Sequence, residues 1–328
     1  MSLPKTFPLS NGAEVPAVGL GTFQGDAGNA LVEEQVTTAI RVGYRHIDTA
    51  AGYGNEKQVG EAIRKSKVPR DELFVTTKLL QTWHRPKDVE EALDLSLQNL
   101  GLEYVDLYLM HFPHAYQFGE NHSTRRHPDG SGKPMIDLEL SRNYVTTWRA
   151  MEKLVDSGKA KAIGLSNFNI LKTKKIIEEA RIRPAVNQVE LHPLLPQPEL
   201  VKYCDRQGIR VMAHQPLGGA PVAQVRAHTE VPSPLQHPKI MALAERCGKS
   251  PAQICLSWAV QRGISVVPKT VNDGRMRENL ELGARLDDDV FEGVNEIVKE
   301  RGPIRFLNPQ GHIGFDIFDE EKDQPVDE

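Results

Sequence analysis

Residues 45–78 read RHIDTAAGYGNEKQVGEAIRKSKVPRDELFVTTK. A short apolar, β-branched run at 46–49 gives way to a longer stretch of helical period that begins near Asn55, and a second short run follows at 74–78. Short strand, helix, short strand is a βαβ unit, and its two strands run parallel because a crossover separates them. Outward from this unit the same alternation continues. Strands are expected at 17–20, 105–111, 162–166, 186–190, 210–213 and 265–268. Helices are expected to begin near Leu31, Pro86, Ser141, Leu171, Gln197, Ser250 and Asp273. Ser250 stands before Pro251, a good first helical residue, and Asp156-Ser157-Gly158 closes the helix that precedes the fifth strand. Ahead of the alternation, Asn11-Gly12 flanked by Phe7, Leu9 and Val15 marks a β-hairpin. Eight parallel units fit either a closed (β/α)8 TIM barrel, which leaves no edge strand, or an open doubly wound sheet.

Two stretches break the rhythm. Residues 113–140 follow the fourth strand, and residues 217–238, with Gly218-Gly219, follow the seventh. Loops this long in a compact domain usually carry function. The chain of 328 residues is expected to form one domain, 1–328, with 301–328 as a C-terminal tail whose acidic run Asp319-Glu320-Glu321 is solvated surface. A net charge of -4 argues against a nucleic-acid partner. The N-terminal residues carry no apolar leader core and no run is long enough to span a membrane, so the cytoplasm is the expected location. Cys204, Cys247 and Cys255 lack metal or redox spacing, and no metal site is expected.

In a barrel, reacting groups gather at the C-terminal ends of the strands. Here the second strand ends at Asp48, the third at Lys78 and the fourth at His111, while Tyr53 sits in the turn Gly52-Tyr53-Gly54 just past Asp48. Taken singly, each has a plainer role: a turn cap, a surface lysine, a packed loop aromatic, a core histidine. Together they suit carbonyl reduction. Hydride delivered to a carbonyl carbon leaves charge on oxygen, which needs a proton or a preorganised donor. A phenol of pKa ~10 is a weak acid at neutral pH, and an adjacent ammonium lowers that value. Lys78, held by Asp48, is expected to do this for Tyr53, with His111 orienting the substrate oxygen.

Several motifs resemble those of the aldo-keto reductase superfamily over nearly the whole chain. They are Gly19-Leu20-Gly21-Thr22, Gly43-Tyr44-Arg45-His46-Ile47-Asp48-Thr49-Ala50, Tyr53-Gly54-Asn55-Glu56 and His111-Phe112-Pro113. Further along come Gly164-Leu165-Ser166-Asn167-Phe168, Pro184-Ala185-Val186-Asn187-Gln188-Val189-Glu190 and Val267-Pro268-Lys269-Thr270 with Arg275 and Asn279. The resemblance implies a (β/α)8 barrel that reduces an aldehyde or ketone with NADPH, NADH being a second option. It implies Tyr53 as acid, supported by Asp48, Lys78 and His111. It also implies that Ser166, Asn167 and Gln188 hold the nicotinamide carboxamide, and that Gly21, Thr22, Asp48, Gln215 and Leu217 lie along the cofactor. Lys269, Thr270 and Arg275 would grip the adenosine 2'-phosphate, with Glu278 and Asn279 near the adenine. Arg offers phosphate a fork and Lys a point charge, which favours NADPH.

The sequence also departs from the family. His214 stands where relatives carry a tyrosine stacked on the nicotinamide, and an imidazole that charges near neutral pH would make cofactor binding pH-dependent. Phe23, Leu80, Trp83, His111, Phe112 and His114 are the candidate substrate residues, with the tail near Phe306 and Leu307 as a cover. Arg125, Arg126 and His127 fit a solvated charge run better than an acidic-sugar site. The tail resembles those of fungal reductases acting on sugars, glyceraldehyde or uronic acids, and that resemblance would place the enzyme in carbohydrate metabolism. Nothing demands a partner chain, so a monomer or weak dimer is expected. Two other readings remain at this point: a non-catalytic NADPH-binding regulatory subunit, and a Schiff-base aldolase using Lys78.

Overall fold

The computed structural model describes residues 2–219 and 221–318. Its strands are β1 (Thr6–Pro8), β2 (Glu14–Pro16), β3 (Leu20–Gly21), β4 (His46–Asp48), β5 (Phe74–Leu79), β6 (Val105–Met110), β7 (Ala115–Tyr116), β8 (Ile136–Asp137), β9 (Ala160–Ser166), β10 (Val186–Glu190), β11 (Arg210–His214) and β12 (Ser265–Val266). The α-helices are α1 (Val32–Val42), α2 (Glu56–Ser66), α3 (Val89–Leu100), α4 (Leu138–Arg142), α5 (Tyr144–Asp156), α6 (Ile170–Glu179), α7 (Pro198–Arg206), α8 (Pro238–Cys247), α9 (Pro251–Gln261), α10 (Asp273–Leu280), α11 (Asp288–Asn295) and α12 (Gln310–Ile313).

Strands β3, β4, β5, β6, β9, β10, β11 and β12 form one parallel sheet in that order. The sheet closes on itself through the parallel bridge of Val18 with Val266, where Gly19 N donates to Val266 O at 2.8 Å and Gly21 N to Pro268 O at 3.0 Å. Closure decides between the two architectures left open by the strand count: the protein is a (β/α)8 barrel, and the open sheet is excluded. Gly21 is required at the seam, since a Cβ there would lie 2.8 Å from Val267 O. The hairpin β1–β2 pairs Phe7 with Val15, and the Arg210 guanidinium lies 5.0 Å from the Phe7 ring at the start of β11. It therefore caps the N-terminal end of the barrel and leaves the opposite mouth free for chemistry.

Two helices, α8 and α11, lie outside the eightfold pattern read from the sequence. They pack on α9, the helix expected from Ser250, which is buried along nearly all of 254–260 between α8 and the barrel. Its N-terminus is fixed by a capping box between Ser250 and Gln253. The stretch 113–140 is also more ordered than a plain loop. It folds into the antiparallel pair β7–β8, and α4 starts at Leu138, ahead of the expected Ser141, because the Asp137 carboxylate accepts Leu140 N at 3.0 Å.

The tail crosses the mouth of the barrel. Ala227 N donates to Phe306 O and Asn308 N to Val225 O, both at 2.8 Å, which stitches the tail to the loop after β11. From the end of α12 onward, Ile313, Phe315 and Ile317 pack with Phe112, Tyr116 and Ile136 from the loop after β6. The acidic run Asp319-Glu320-Glu321 lies outside the described residues. Cys204 and Cys255 are buried, Cys247 is half-buried, and all three are free thiols. Among the described residues no helix is long and apolar enough to cross a membrane, and no cluster of His, Cys, Asp and Glu is placed to hold a metal.

Candidate active site

Asp48 closes β4, Lys78 stands one residue before the end of β5, and β4 and β5 are neighbours. Lys78 Nζ donates to Asp48 Oδ1 at 2.6 Å, to the Thr49 carbonyl at 2.9 Å and to the Tyr53 hydroxyl at 3.4 Å. All three ammonium donors are thus used. The other Asp48 oxygen, Oδ2, accepts Gln188 Nε2 at 2.6 Å. Tyr53 ends a single 3-10 turn, and Gly54 terminates it at φ 65°, in the left-handed region that favours glycine. His111 follows β6, with its ring centroid 5.7 Å from that of Tyr53. Its Nδ1 is buried and without a protein partner among the described residues. The structure therefore brings Asp48, Tyr53, Lys78 and His111 to one place at the mouth.

A supporting network, of which only Thr22 was expected at the site, holds the turn. Thr22 N and Oγ1 both donate to Asp48 O, Asn55 Nδ2 donates to Thr22 O at 2.9 Å, and Thr49 Oγ1 donates to Asn55 Oδ1 at 2.8 Å. Hydroxyls and amides just after strands are ordinary turn residues, so nothing in their spacing marks them.

Burial lowers the Lys78 pKa, but Asp48 and Tyr53 more than offset it, and the ammonium is held above its ordinary value. For Tyr53 the balance runs against the simple expectation. Burial raises the phenol, Lys78 lowers it less, and the net direction is upward. The hydroxyl therefore keeps its proton at neutral pH. His111 is driven well below its ordinary value by burial, then by the Lys78 charge, so its imidazole is neutral. His214 is likewise lowered, to about 4, by burial first and Lys78 among the opposing charges. This corrects the expectation that His214 charges near neutral pH.

The residues expected along the cofactor line one flank. Asn167 Nδ2 donates to the His111 carbonyl at 3.0 Å and to Ser166 Oγ at 3.2 Å, and Asn167 Oδ1 pairs with His214 Nε2 at 2.9 Å. Gln215 has a left-handed backbone (φ 50°) and a buried Nε2 without a protein partner among the described residues. Leu217 packs against the main core. Gln35 Nε2 ties Gly21 O to Thr270 O, at 3.1 and 3.0 Å. Thr270 Oγ1 accepts Asn272 N, and Asn272 caps α10 by accepting Arg275 N at 2.9 Å. Asn279 is buried on that helix, Glu278 is half-buried, and Lys269 and Arg275 are exposed.

On the other flank, Phe23 meets Tyr53 with ring centroids 5.1 Å apart, and Phe112 meets His111 at 5.2 Å. Leu80 faces Gly52, where a Cβ would lie 3.1 Å from its Cδ1. Trp83 stacks on His122 at 3.4 Å, and Phe118 stacks on the other side of that imidazole at 4.5 Å. His114 does not face the mouth as expected; it is buried among Phe112, Tyr116 and Phe315. Arg125, Arg126 and His127 are exposed, as the solvated reading requires.

A barrel whose mouth holds a buried ammonium–carboxylate pair, a loaded phenol and a neutral imidazole defines a carbonyl reductase of the hydride-transfer class. The comparisons agree. The model of the Aldo/keto reductase family matches residues 17–299, and the chain belongs to that family. It is 40% identical over 327 residues to a glycerol 2-dehydrogenase (NADP(+)) of Hypocrea jecorina, covering 97% of this chain and 99% of that one. It is 44% identical over 321 residues to the protein of the same name from Saccharomyces cerevisiae (strain ATCC 204508 / S288c), covering 96% and 97%. The solved aldose reductase of Schistosoma japonicum superposes with a TM-score of 0.84 at 34% identity, covering 98% of this chain and 100% of that one. The protein is an NADP-dependent oxidoreductase that reduces a carbonyl group with NADPH. The regulatory-subunit and aldolase readings are not favoured. A lysine held as an ammonium is also a poor Schiff-base nucleophile, which needs a neutral amine.

Two outcomes follow from this geometry. If the hydroxyl serves the substrate oxygen, Tyr53→Phe is expected to lower kcat by roughly 10²–10⁴ while leaving NADPH affinity within a few fold. Fluorescence titration of NADPH beside steady-state rates checks this, and equal losses in both would contradict it. The second concerns acid. Burial lowers His46 and His214 to about 4 and His84 and His114 to about 3. As pH falls through the unfolded value near ~6.5, the unfolded chain takes up protons that the native one refuses. Stability should fall by roughly 1.4 kcal/mol per pH unit for each such histidine between about pH 6 and 4. Urea midpoints measured from pH 7 to 4.5 should drop steadily, and a flat series would refute the burial assignment.

Proposed function

We propose that the chain reduces small, neutral hydroxylated aldehydes or ketones, with Tyr53 as general acid. The observation that carries this is the contact of Tyr53 OH with Lys78 Nζ at 3.4 Å, backed by the Lys78–Asp48 pair at 2.6 Å. The substrate carbonyl oxygen sits between the Tyr53 hydroxyl and the His111 ring. When bound, NADPH supplies the hydride. As charge grows on the oxygen, the Tyr53 O–H hands over its proton, and the phenolate left behind is stabilised by the Lys78 ammonium. Asp48 keeps that ammonium in place and charged. His111, neutral, orients the oxygen by a hydrogen bond without adding a competing positive charge.

The donor set fits the cofactor. Arg41 and Arg277 both pair with Asp273, whereas Lys269 and Arg275 have no carboxylate partner among the described residues. Two free cations beside the α10 N-terminus suit the adenosine 2'-phosphate, with Thr270 alongside and Glu278 and Asn279 toward the adenine. Ser166, Asn167 and Gln188 offer amide and hydroxyl groups to the carboxamide, and His214 a neutral face to the ring. Gly21, Thr22, Asp48, Gln215 and Leu217 complete the channel.

Phe23, Leu80, Trp83 and Phe112 give the substrate an apolar rim with His111 at its base. Arg126 bonds Gly132 O within its own loop, and the neighbouring cations are solvated, which disfavours a uronate subsite. The relatives named glycerol 2-dehydrogenase act, by their name, on a three-carbon polyol, which supports glyceraldehyde- or dihydroxyacetone-sized carbonyls and a place in carbohydrate metabolism. The chain would work as a single domain over 1–328, monomeric or weakly dimeric, in the cytoplasm, where its free thiols stay reduced.

Assays with NADPH should give glyceraldehyde and dihydroxyacetone a higher kcat/KM than glucuronate, and the reverse order would overturn this substrate class. Arg275→Ala should raise KM for NADPH roughly 10- to 100-fold, the equivalent of one charge-assisted phosphate contact, and leave that for NADH nearly unchanged. Equal effects on both cofactors would remove Arg275 from the phosphate site.

A further inference from the structure

Glu190, the last residue of β10, takes no part in the chemistry above, yet its carboxylate is fully buried at the mouth of the barrel. Such a charge is costly unless every lone pair is met. Two of its three partners come from a distant part of the chain. Oε1 accepts Phe306 N at 2.7 Å and pairs with His192 Nε2 at 2.9 Å, while Oε2 accepts Leu307 N at 2.8 Å. Burial on its own raises the carboxyl, but His192, Arg305 and the Phe306 N–H outweigh it and bring it to about 2, so the group stays charged at any working pH.

The two amides it holds lie where the tail bonds to the loop after β11. Phe306 O accepts Ala227 N, Leu307 bridges Arg226, and Asn308 N donates to Val225 O. The Phe306 ring rests on His192, with centroids 5.3 Å apart, and lies against Gly218, where a Cβ would come within 3.2 Å of its Cε2. From this anchor the tail runs on to Ile313, Phe315 and Ile317, which pack with Phe112 beside His111. One carboxylate on a rigid barrel strand thus fixes a backbone junction that leads to the substrate rim on one side and to the loop bearing Leu217 on the other.

We propose that Glu190 is a positioning residue for carbonyl reduction, a clasp whose carboxylate pins the Phe306–Leu307 amides and so sets the substrate wall formed by the tail and Phe112. The proposal rests on the functional reading above, and its test separates the two. In Glu190→Gln, hydrogen exchange of the NADPH-bound enzyme should speed up at least 10-fold at 305–308 and 225–227 and stay unchanged at β4, β5 and β6. KM for the carbonyl substrate should rise about 5- to 10-fold, with kcat within 3-fold and its pH profile unshifted. Leu307→Pro deletes one of the clasped N–H groups and leaves Glu190 in place; it should give the same KM increase, and the double variant should add little to it. If Glu190→Gln does not fold, Leu307→Pro carries the test through the same exchange and KM readouts. Unchanged exchange at 306–307, or faster exchange with an unchanged KM, would overturn the clasp. A fall in kcat at constant KM would overturn it too, assigning Glu190 to the reacting centre through its register neighbour His214. Wild type inactive on every carbonyl, with exchange still accelerated in the variant, would sink the functional reading and not the clasp's grip on the tail.

Discussion

A lysine side chain with none of its surface exposed to water is the feature on which the site depends. Removing an ammonium from water costs several kcal/mol, and only close, well-aligned partners offset that. Asp48, Thr49 and Tyr53 are those partners. The barrel dictates their meeting. Asp48 lies opposite Thr76 in the β4–β5 register, and Lys78, two residues on, projects from the same face of its strand. The amine then spans the gap between adjacent strand ends. Gln188 approaches from β10, on the far side of the barrel, and bonds the second Asp48 oxygen, so the pair is braced by two strands that are not neighbours in the sheet.

That buried charge organises the groups around it. It helps keep His111 and His214 neutral, and it opposes the rise that burial imposes on Tyr53. The phenol is thus protonated before the reaction and faces a cation afterwards. Electrostatic preorganisation of this kind stabilises charge as it develops and asks for little rearrangement during the step.

Much of the barrel was legible in the sequence because its signal is local. Short apolar runs ending in Asp48, Lys78 and near His111 mark strands and mouth at once, and the Asn11-Gly12 turn marks the hairpin. The elements that escaped have non-local causes. Helices α8 and α11 escaped because neither directly follows a strand of the βα alternation; they pack on α9, the helix read from Ser250, as a layer outside the repeat. The strand-like tail pairs through backbone groups with residues about eighty positions earlier, and no side-chain periodicity announces such bonds. Burial also reversed two expectations. Charge proximity alone suggests an acidified Tyr53, and the ordinary imidazole range a titrating His214, while enclosure raises the first and lowers the second. His114 fell outside the pocket because the aromatic side chains of the tail and of the loop after β6 close over it.

The central claim is that Lys78 is a permanent ammonium locked to Asp48. It can be read directly from the titration of its side-chain nitrogen by 15N NMR, comparing the wild type with Asp48→Asn. The wild-type signal should show no titration up to pH 10, and the variant should lose its proton at distinctly lower pH. A wild-type Lys78 that becomes a neutral amine at or below pH 8 would contradict this account of how the site holds its charge.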